Sequence, residues 1–311
     1  MSQPFWISDR ARPLILAVAC LLALGGMGLR YGTRRLLTVH PLGSTPAPYG
    51  FVEYVPPIPG PRPLLIVLHG SASRDSGRDP GVLIDRLSPL KATARAHLLG
   101  FSPPLVSEGV LVAAPQSPGD WEVAQLDAFV DYLLASRHID PDRVYITGQS
   151  MGGCGVWLYA AAHAERLAAA MPISGACEGS PALAAQLGGL AIRAFHAFDD
   201  SVVPSSDSAS WMRVIAARRG GDAADLMSLY PRGADATAVF DGARFAWRAG
   251  ADLTADERLA LTTFASGGHT IWPSVYAADA TWRWLLSQRR GRAGTTPENG
   301  FEKAVEDTAA R

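Results

Sequence analysis

The chain has 311 residues and a mass of 33.0 kDa, is 48% hydrophobic and 18% charged, and so is neither a disordered nor a collagen-like polymer and can bury a sizeable core. Lys and Arg number 28 against 29 Asp and Glu, a formal net charge of -1, which leaves no basic field for a phosphate backbone; no nucleic-acid partner is expected. Three cysteines, Cys20, Cys154 and Cys177, in no C-x-x-C spacing, exclude a disulfide scaffold and a cysteine-based zinc site.

In chain order, residues 14–29 form an uncharged apolar run between Arg10 and Arg12 on one side and Arg30, Arg34 and Arg35 on the other. Residues 1–35 are therefore expected to be an export signal or a short membrane anchor, which makes the protein secreted, periplasmic or tethered. Cys20 lacks the context of a lipidated cysteine. Within the Pro-rich stretch 41–63, residues 51–55 alternate as a strand with one wet face. Nearly continuous apolar runs follow at 64–68, 110–114, 144–147, 168–173, 192–198 and 226–230, separated by helix-length segments that include 122–137, 151–163 and 205–219. Such alternation marks parallel strands covered on both faces. The expected fold is α/β, a mostly parallel sheet of six or more strands with helices on both faces, over residues 36–288. Residues 289–311 are polar and small, expected as a flexible tail. Cys154 and Cys177 read as two separate thiols, with a bond between them as the alternative in an exported chain.

Ligands of open parallel sheets bind beyond the carboxyl ends of strands, and three short sequences occupy such places. Gly148-Gln149-Ser150-Met151-Gly152 matches G-x-S-x-G between a predicted strand and a predicted helix, the setting of a nucleophile elbow. The turn demands small residues two before and two after the serine, supplied by Gly148, Gly152 and Gly153. The bland alternative is a Gly-rich turn with Ser150 capping the helix. A serine hydroxyl needs a base, and the base an acid, from later loops. His269, in a Gly-rich loop before the last helix, is the histidine that follows the candidate acids. His97, His138 and His163 belong to helices or their ends, His40 to the Pro-rich entry, His69 to a turn that shapes an anion-binding loop, and His196 to a strand interior as a core imidazole. Asp199 and Asp200 both follow the run 192–198; Asp200 is chosen as the acid, and Asp199 is expected to hydrogen-bond its own loop. Oxyanion donors are expected at the backbone N–H of Met151 and, in the loop after 64–68, at Ser71.

These blocks, with Pro63 to Gly70, Ala113-Ala114-Pro115-Gln116-Ser117-Pro118 followed by Trp121, Asp142 to Gly153, Phe195 to Pro204 and Gly268-His269-Thr270-Ile271-Trp272, resemble the α/β-hydrolase superfamily. Within it they resemble the secreted serine esterases grouped with polyhydroxybutyrate depolymerases, feruloyl and acetylxylan esterases and predicted peptidases. The resemblance, over about residues 49–286, implies Asp200 rather than Asp199 as acid and hydrolysis through an acyl-enzyme. Two departures stand out: Ala197 where the group has Gly, and residues 231–266, longer than the link expected between the last strand and His269. Within that insertion Asp241-Gly242 between apolar residues suggests a hairpin.

The expected function is carboxylic-ester hydrolysis by Ser150, His269 and Asp200, with no cofactor and no metal, on a small-molecule or polymer-linked ester. Peptide hydrolysis by the same residues is the alternative, and a membrane-tethered binding module without turnover is a third reading.

Overall fold

The computed structural model describes residues 28–29, 32–86, 88–222, 226–250 and 252–291. Ten strands form one sheet among the described residues, in the order β1-β2-β4-β3-β5-β6-β7-β10-β8-β9. They are β1 (Leu37–His40), β2 (Gly50–Tyr54), β3 (Arg62–Leu68), β4 (Leu111–Gln116), β5 (Ile139–Gln149), β6 (Ala169–Ile173), β7 (Ala191–Ala197), β8 (Ala236–Phe240), β9 (Phe245–Ala249) and β10 (Leu259–Phe264). The six central strands, β4, β3, β5, β6, β7 and β10, are parallel, and the two on each flank are antiparallel.

The period of two decides which residues meet which helices. Leu64, Ile66, Leu68 and Ile146 face a core shared with α2 (Val123–Ser136), α3 (Met151–Ala162) and α4 (Ser205–Arg218), whose Phe129, Trp157 and Trp211 are fully buried. Leu65, Val67 and Tyr145 face the other core, with Leu90 of α1 (Ser88–Leu98), Val275 of α5 (Trp272–Ala277) and Leu285 of α6 (Asp279–Ser287). Apolar continuity in β3 to β7 thus reflects cover on two sides, as the sequence pattern implies.

One predicted strand is wrong. Residues 226–230 form a turn, with Tyr230 N–H bonded to the Met227 carbonyl. The place beside β7 is taken by β10, whose β-branched Thr262 and Thr263 are buried and which pairs with β7 on one side and β8 on the other. A short apolar run does not by its pattern reveal whether a neighbour awaits it. The extra length at 231–266 therefore lies mostly before the last strand, and the link from Phe264 to His269 is short. The hairpin at Asp241-Gly242 is present as β8 and β9, with Phe240 opposite Phe245 and Gly242 at φ 102°, and it widens the sheet at its edge. Strand β1 was not expected.

The expected signal or anchor falls largely on residues 1–27, outside the described residues, as does most of the expected tail. Arg289 and Arg290, its first two residues, pair with Asp140 at 3.5 Å and Asp142 at 2.9 Å.

Candidate active site

Ser150 sits between β5 and α3 at φ 55° and ψ -120°, a conformation that costs an L-residue energy and persists only where its surroundings dictate it. They do so here by backbone crowding. A Cβ on Gly152 would stand 2.3 Å from the Leu68 carbonyl oxygen, and one on Gly148 2.6 Å from that of Gly152. The serine makes no side-chain cap to α3, so its hydroxyl is left for other partners and the capping alternative does not hold.

That hydroxyl lies 2.9 Å from Nε2 of His269, and Nδ1 of His269 lies 2.8 Å from Oδ2 of Asp200. A carboxylate only accepts, so Nδ1 carries the proton and Nε2 is free to accept from Ser150. The three residues follow the carboxyl ends of β5, β7 and β10, side chains far apart in sequence that meet beyond the ends of the central strands. Oδ1 of Asp200 accepts from the backbone N–H groups of Val202 and Val203, both at 2.9 Å. Burial would raise the Asp200 pKa, but the His269 bond and these backbone donors outweigh it and hold the carboxyl below its ordinary range.

Solved structures share this architecture. A thermostable esterase superposes with a TM-score of 0.55 at 23% identity, over 82% of this chain and 63% of that one. An acetyl xylan esterase from Aspergillus awamori gives 0.53 at 16% identity, over 81% and 99%. The chain has the α/β-hydrolase fold. A model of the prolyl oligopeptidase family matches residues 112–178, the stretch that spans β4 to the loop after β6 and contains the elbow. Over 154 residues the chain is 28% identical to a Nocardia uniformis subsp. tsuyamanensis protein named "Putative esterase NocK", a match that covers 48% of this chain and 43% of the relative. The chain therefore spans less than half of that relative's length.

A cavity of about 370 Å³ adjoins Ser150, with Ser71, Trp121, Met151, Leu158 and Val203 among its walls. Both residues expected to supply oxyanion donors, Met151 and Ser71, thus border the same space as the serine. The N–H of Met151 opens α3, where first-turn donors lack intrahelical acceptors. A larger cavity, about 480 Å³, lies around Leu167, Arg258 and Arg290 and contains none of the three convergent side chains.

His69 holds the Ser71 loop: Nδ1 donates to the Gly70 carbonyl at 2.9 Å and Nε2 accepts from Ser117 N–H at 2.9 Å. Burial pushes its pKa down to about 4, so it stays neutral and keeps both bonds at ordinary pH. Two neighbours of the site differ from expectation. Asp199 does not bond its own loop; its carboxylate accepts from Gly268 N–H at 2.8 Å and Gly267 N–H at 3.3 Å, so it anchors the loop that carries His269. Short acidic side chains at strand ends reach whatever donors the adjacent strand delivers, and β10 was not foreseen. His196 is a buried core imidazole, as expected, yet its Nε2 lies 3.2 Å from Oδ2 of Asp200 and 3.0 Å from the Val203 carbonyl, while Nδ1 meets Ser208 Oγ at 2.8 Å. Burial lowers its pKa, so the ring is neutral: Ser208 donates to Nδ1, and Nε2–H is shared between the Val203 carbonyl and Oδ2 of Asp200. The four-residue spacing from His196 to Asp200 was visible in sequence; the turn that folds one onto the other was not.

Cys154 and Cys177 are bonded, contrary to the reading as separate thiols. Cys154 lies one turn into α3 and Cys177 just after β6; β5 and β6 are adjacent strands, which brings the two Cα atoms to 5.4 Å. Cys154 lines the cavity.

Proposed function

We propose that this protein is a serine hydrolase of carboxylic esters that works through an acyl-enzyme. The carrying observation is the continuous chain from Ser150 Oγ through His269 to Asp200, at 2.9 and 2.8 Å. Nε2 of His269 takes the Ser150 proton as Oγ attacks the ester carbonyl; the carbonyl electron pair becomes an oxyanion beside the N–H groups of Met151 and Ser71. As it collapses, the C–O bond to the alcohol breaks and His269 returns its proton to the departing oxygen. Water repeats the sequence on the acyl group, releasing acid and free Ser150. Asp200 stays ionised throughout and stabilises the imidazolium. The names of NocK and of the structural neighbours support the ester over other substrates.

The prolyl oligopeptidase match favours a second reading, peptide hydrolysis by the same residues. Triad geometry does not choose between ester and amide. Matched ester and amide substrates separate the two. Action outside the cytoplasm is supported by the apolar run at 14–29 and by the Cys154–Cys177 bond, since disulfides persist in oxidising compartments.

A fluorophosphonate probe tests the mechanism. Labelling of the wild type and its disappearance in Ser150→Ala, together with a fall in p-nitrophenyl acetate turnover of about 10⁶-fold, is the expected result. Undiminished turnover in Ser150→Ala would remove the proposal.

A further inference from the structure

At the edge of the sheet opposite the site, α1 ends in an exposed apolar cluster: Leu98, Leu99 and Phe101 are 41%, 48% and 64% accessible. The bond from Phe101 N–H to the Ala96 carbonyl folds the three onto one turn. The helical turn at residues 32–35 packs directly against Leu98, so closely that a Cβ on Gly32 would stand 2.7 Å from Leu98 Cδ2. The same corner carries Arg34, Arg35, Lys91 and Arg95, and Asp85 bonds both Arg34 at 3.2 Å and Lys91 at 2.8 Å. Leu29, the last residue of the apolar run 14–29, borders a small cavity together with Arg34, Lys91 and Arg95.

Strand register fixes where this corner lies relative to the chemistry. Leu37, which follows the helical turn, pairs with Tyr54, and Tyr54 pairs with Val112 near the start of β4. Residue 98 leads, through residues 99–110 with the helical turn Pro104–Ser107 among them, to the same start of β4. Ser150, Asp200 and His269 follow the far ends of parallel strands.

We propose that this corner seats on an anionic phospholipid surface, with Leu98, Leu99 and Phe101 entering the interface and Arg34, Arg35, Lys91 and Arg95 meeting headgroups. Three observations converge on a bilayer: an uncharged apolar run enters the fold at this point, bulky apolar side chains stand exposed beside it, and the flanking charge is basic. Long basic side chains can lay their stems on the apolar surface while their heads reach phosphate. The site then opens away from the bilayer. This inference does not depend on the reading of the site.

The test uses the full chain in lipid nanodiscs, in a Cys20→Ser background, with a nitroxide at Leu99→Cys or Phe101→Cys and a control at Val202→Cys beside the active-site cavity. In phosphatidylglycerol–phosphatidylcholine discs the labels at 99 and 101 should be several-fold more accessible to oxygen than to a water-soluble nickel relaxant. The control should show the reverse. Lys91→Glu/Arg95→Glu, and separately Arg35→Glu, should return the labels to water while near-ultraviolet circular dichroism stays native. Labels at 99 and 101 that remain aqueous in anionic discs would overturn the proposal. So would spin–spin broadening from a second copy, or insertion that is indifferent to both charge reversals.

Discussion

The two halves of the site are held by different forces. The Ser150 side is fixed by backbone contacts: a left-handed serine between glycines whose Cβ positions are already filled by carbonyl oxygens. The Asp200–His269 side is fixed by hydrogen bonds from side chains and loop amides, with His196, Asp199, Val202 and Val203 each making one or more. Crowding is all-or-none, because a packed backbone has nowhere to move. A hydrogen-bonded arm degrades in steps, since each lost donor leaves others in place.

Four predictions probe that difference, from the largest effect to the smallest. Asp200→Asn keeps the shape but reverses the proton arrangement on His269, so kcat is expected to fall about 10⁴-fold with little change in KM for p-nitrophenyl acetate. A loss under tenfold would show that the carboxylate is not the partner that matters. Gly152→Ala, by contrast, forces Leu68 and His69 carbonyls away from the elbow; about 100-fold in kcat should go, along with a lower thermal midpoint, because an ångström of misplacement is enough. Native activity and stability in this variant would mean that the elbow can relax.

On the hydrogen-bonded side, His196→Phe removes one donor from Asp200 and leaves the Val202 and Val203 amides. The expected loss is about tenfold in kcat/KM, and the acid limb of the pH–rate profile should move to higher pH, because a carboxylate with one donor fewer binds the imidazolium more strongly. His196→Gln, which can still donate, should restore the limb. An unmoved limb in both would reduce His196 to packing.

The smallest effect concerns stability rather than turnover. His69 is neutral in the folded protein down to about pH 4, whereas unfolded histidine protonates near pH 6.5. The unfolded state therefore gains a proton first as pH falls; the contribution is complete above pH 6.5 and is lost between there and about 4, about 3 kcal/mol in all. The urea midpoint should fall less between pH 7 and pH 4.5 in His69→Gln than in the wild type. Equal slopes would assign the acid sensitivity to other groups.

Much of this was legible in the sequence because the requirements are local or periodic. Doubly buried strands must be apolar at every position, and an elbow must carry glycines at fixed offsets from its serine, so Ser150 and strands β3 to β7 announce themselves. His269 followed from order along the chain. The misreadings share one cause, partners chosen at long range. Residues 226–230 look like a strand but no neighbour accepts them, while β10 succeeds by pairing on both sides. Asp199 looked as if it would bond its own loop and instead binds the one that β10 brings next to it. Cys154 and Cys177 carry no spacing signal, and only adjacent parallel strands put their Cα atoms within bonding reach.

The amino-acid sequence alone determined the layer architecture, the place of Ser150 in a glycine-flanked turn and the apolar segment ahead of the fold, since each depends on residue type at set intervals. Tertiary structure decided which strand fills the place beside β7, which acidic neighbour meets His269 and which holds its loop, and which edge of the sheet shares a corner with the apolar run. Those choices rest on contacts between residues tens of positions apart, whose free energy exists only once the chain has closed on itself.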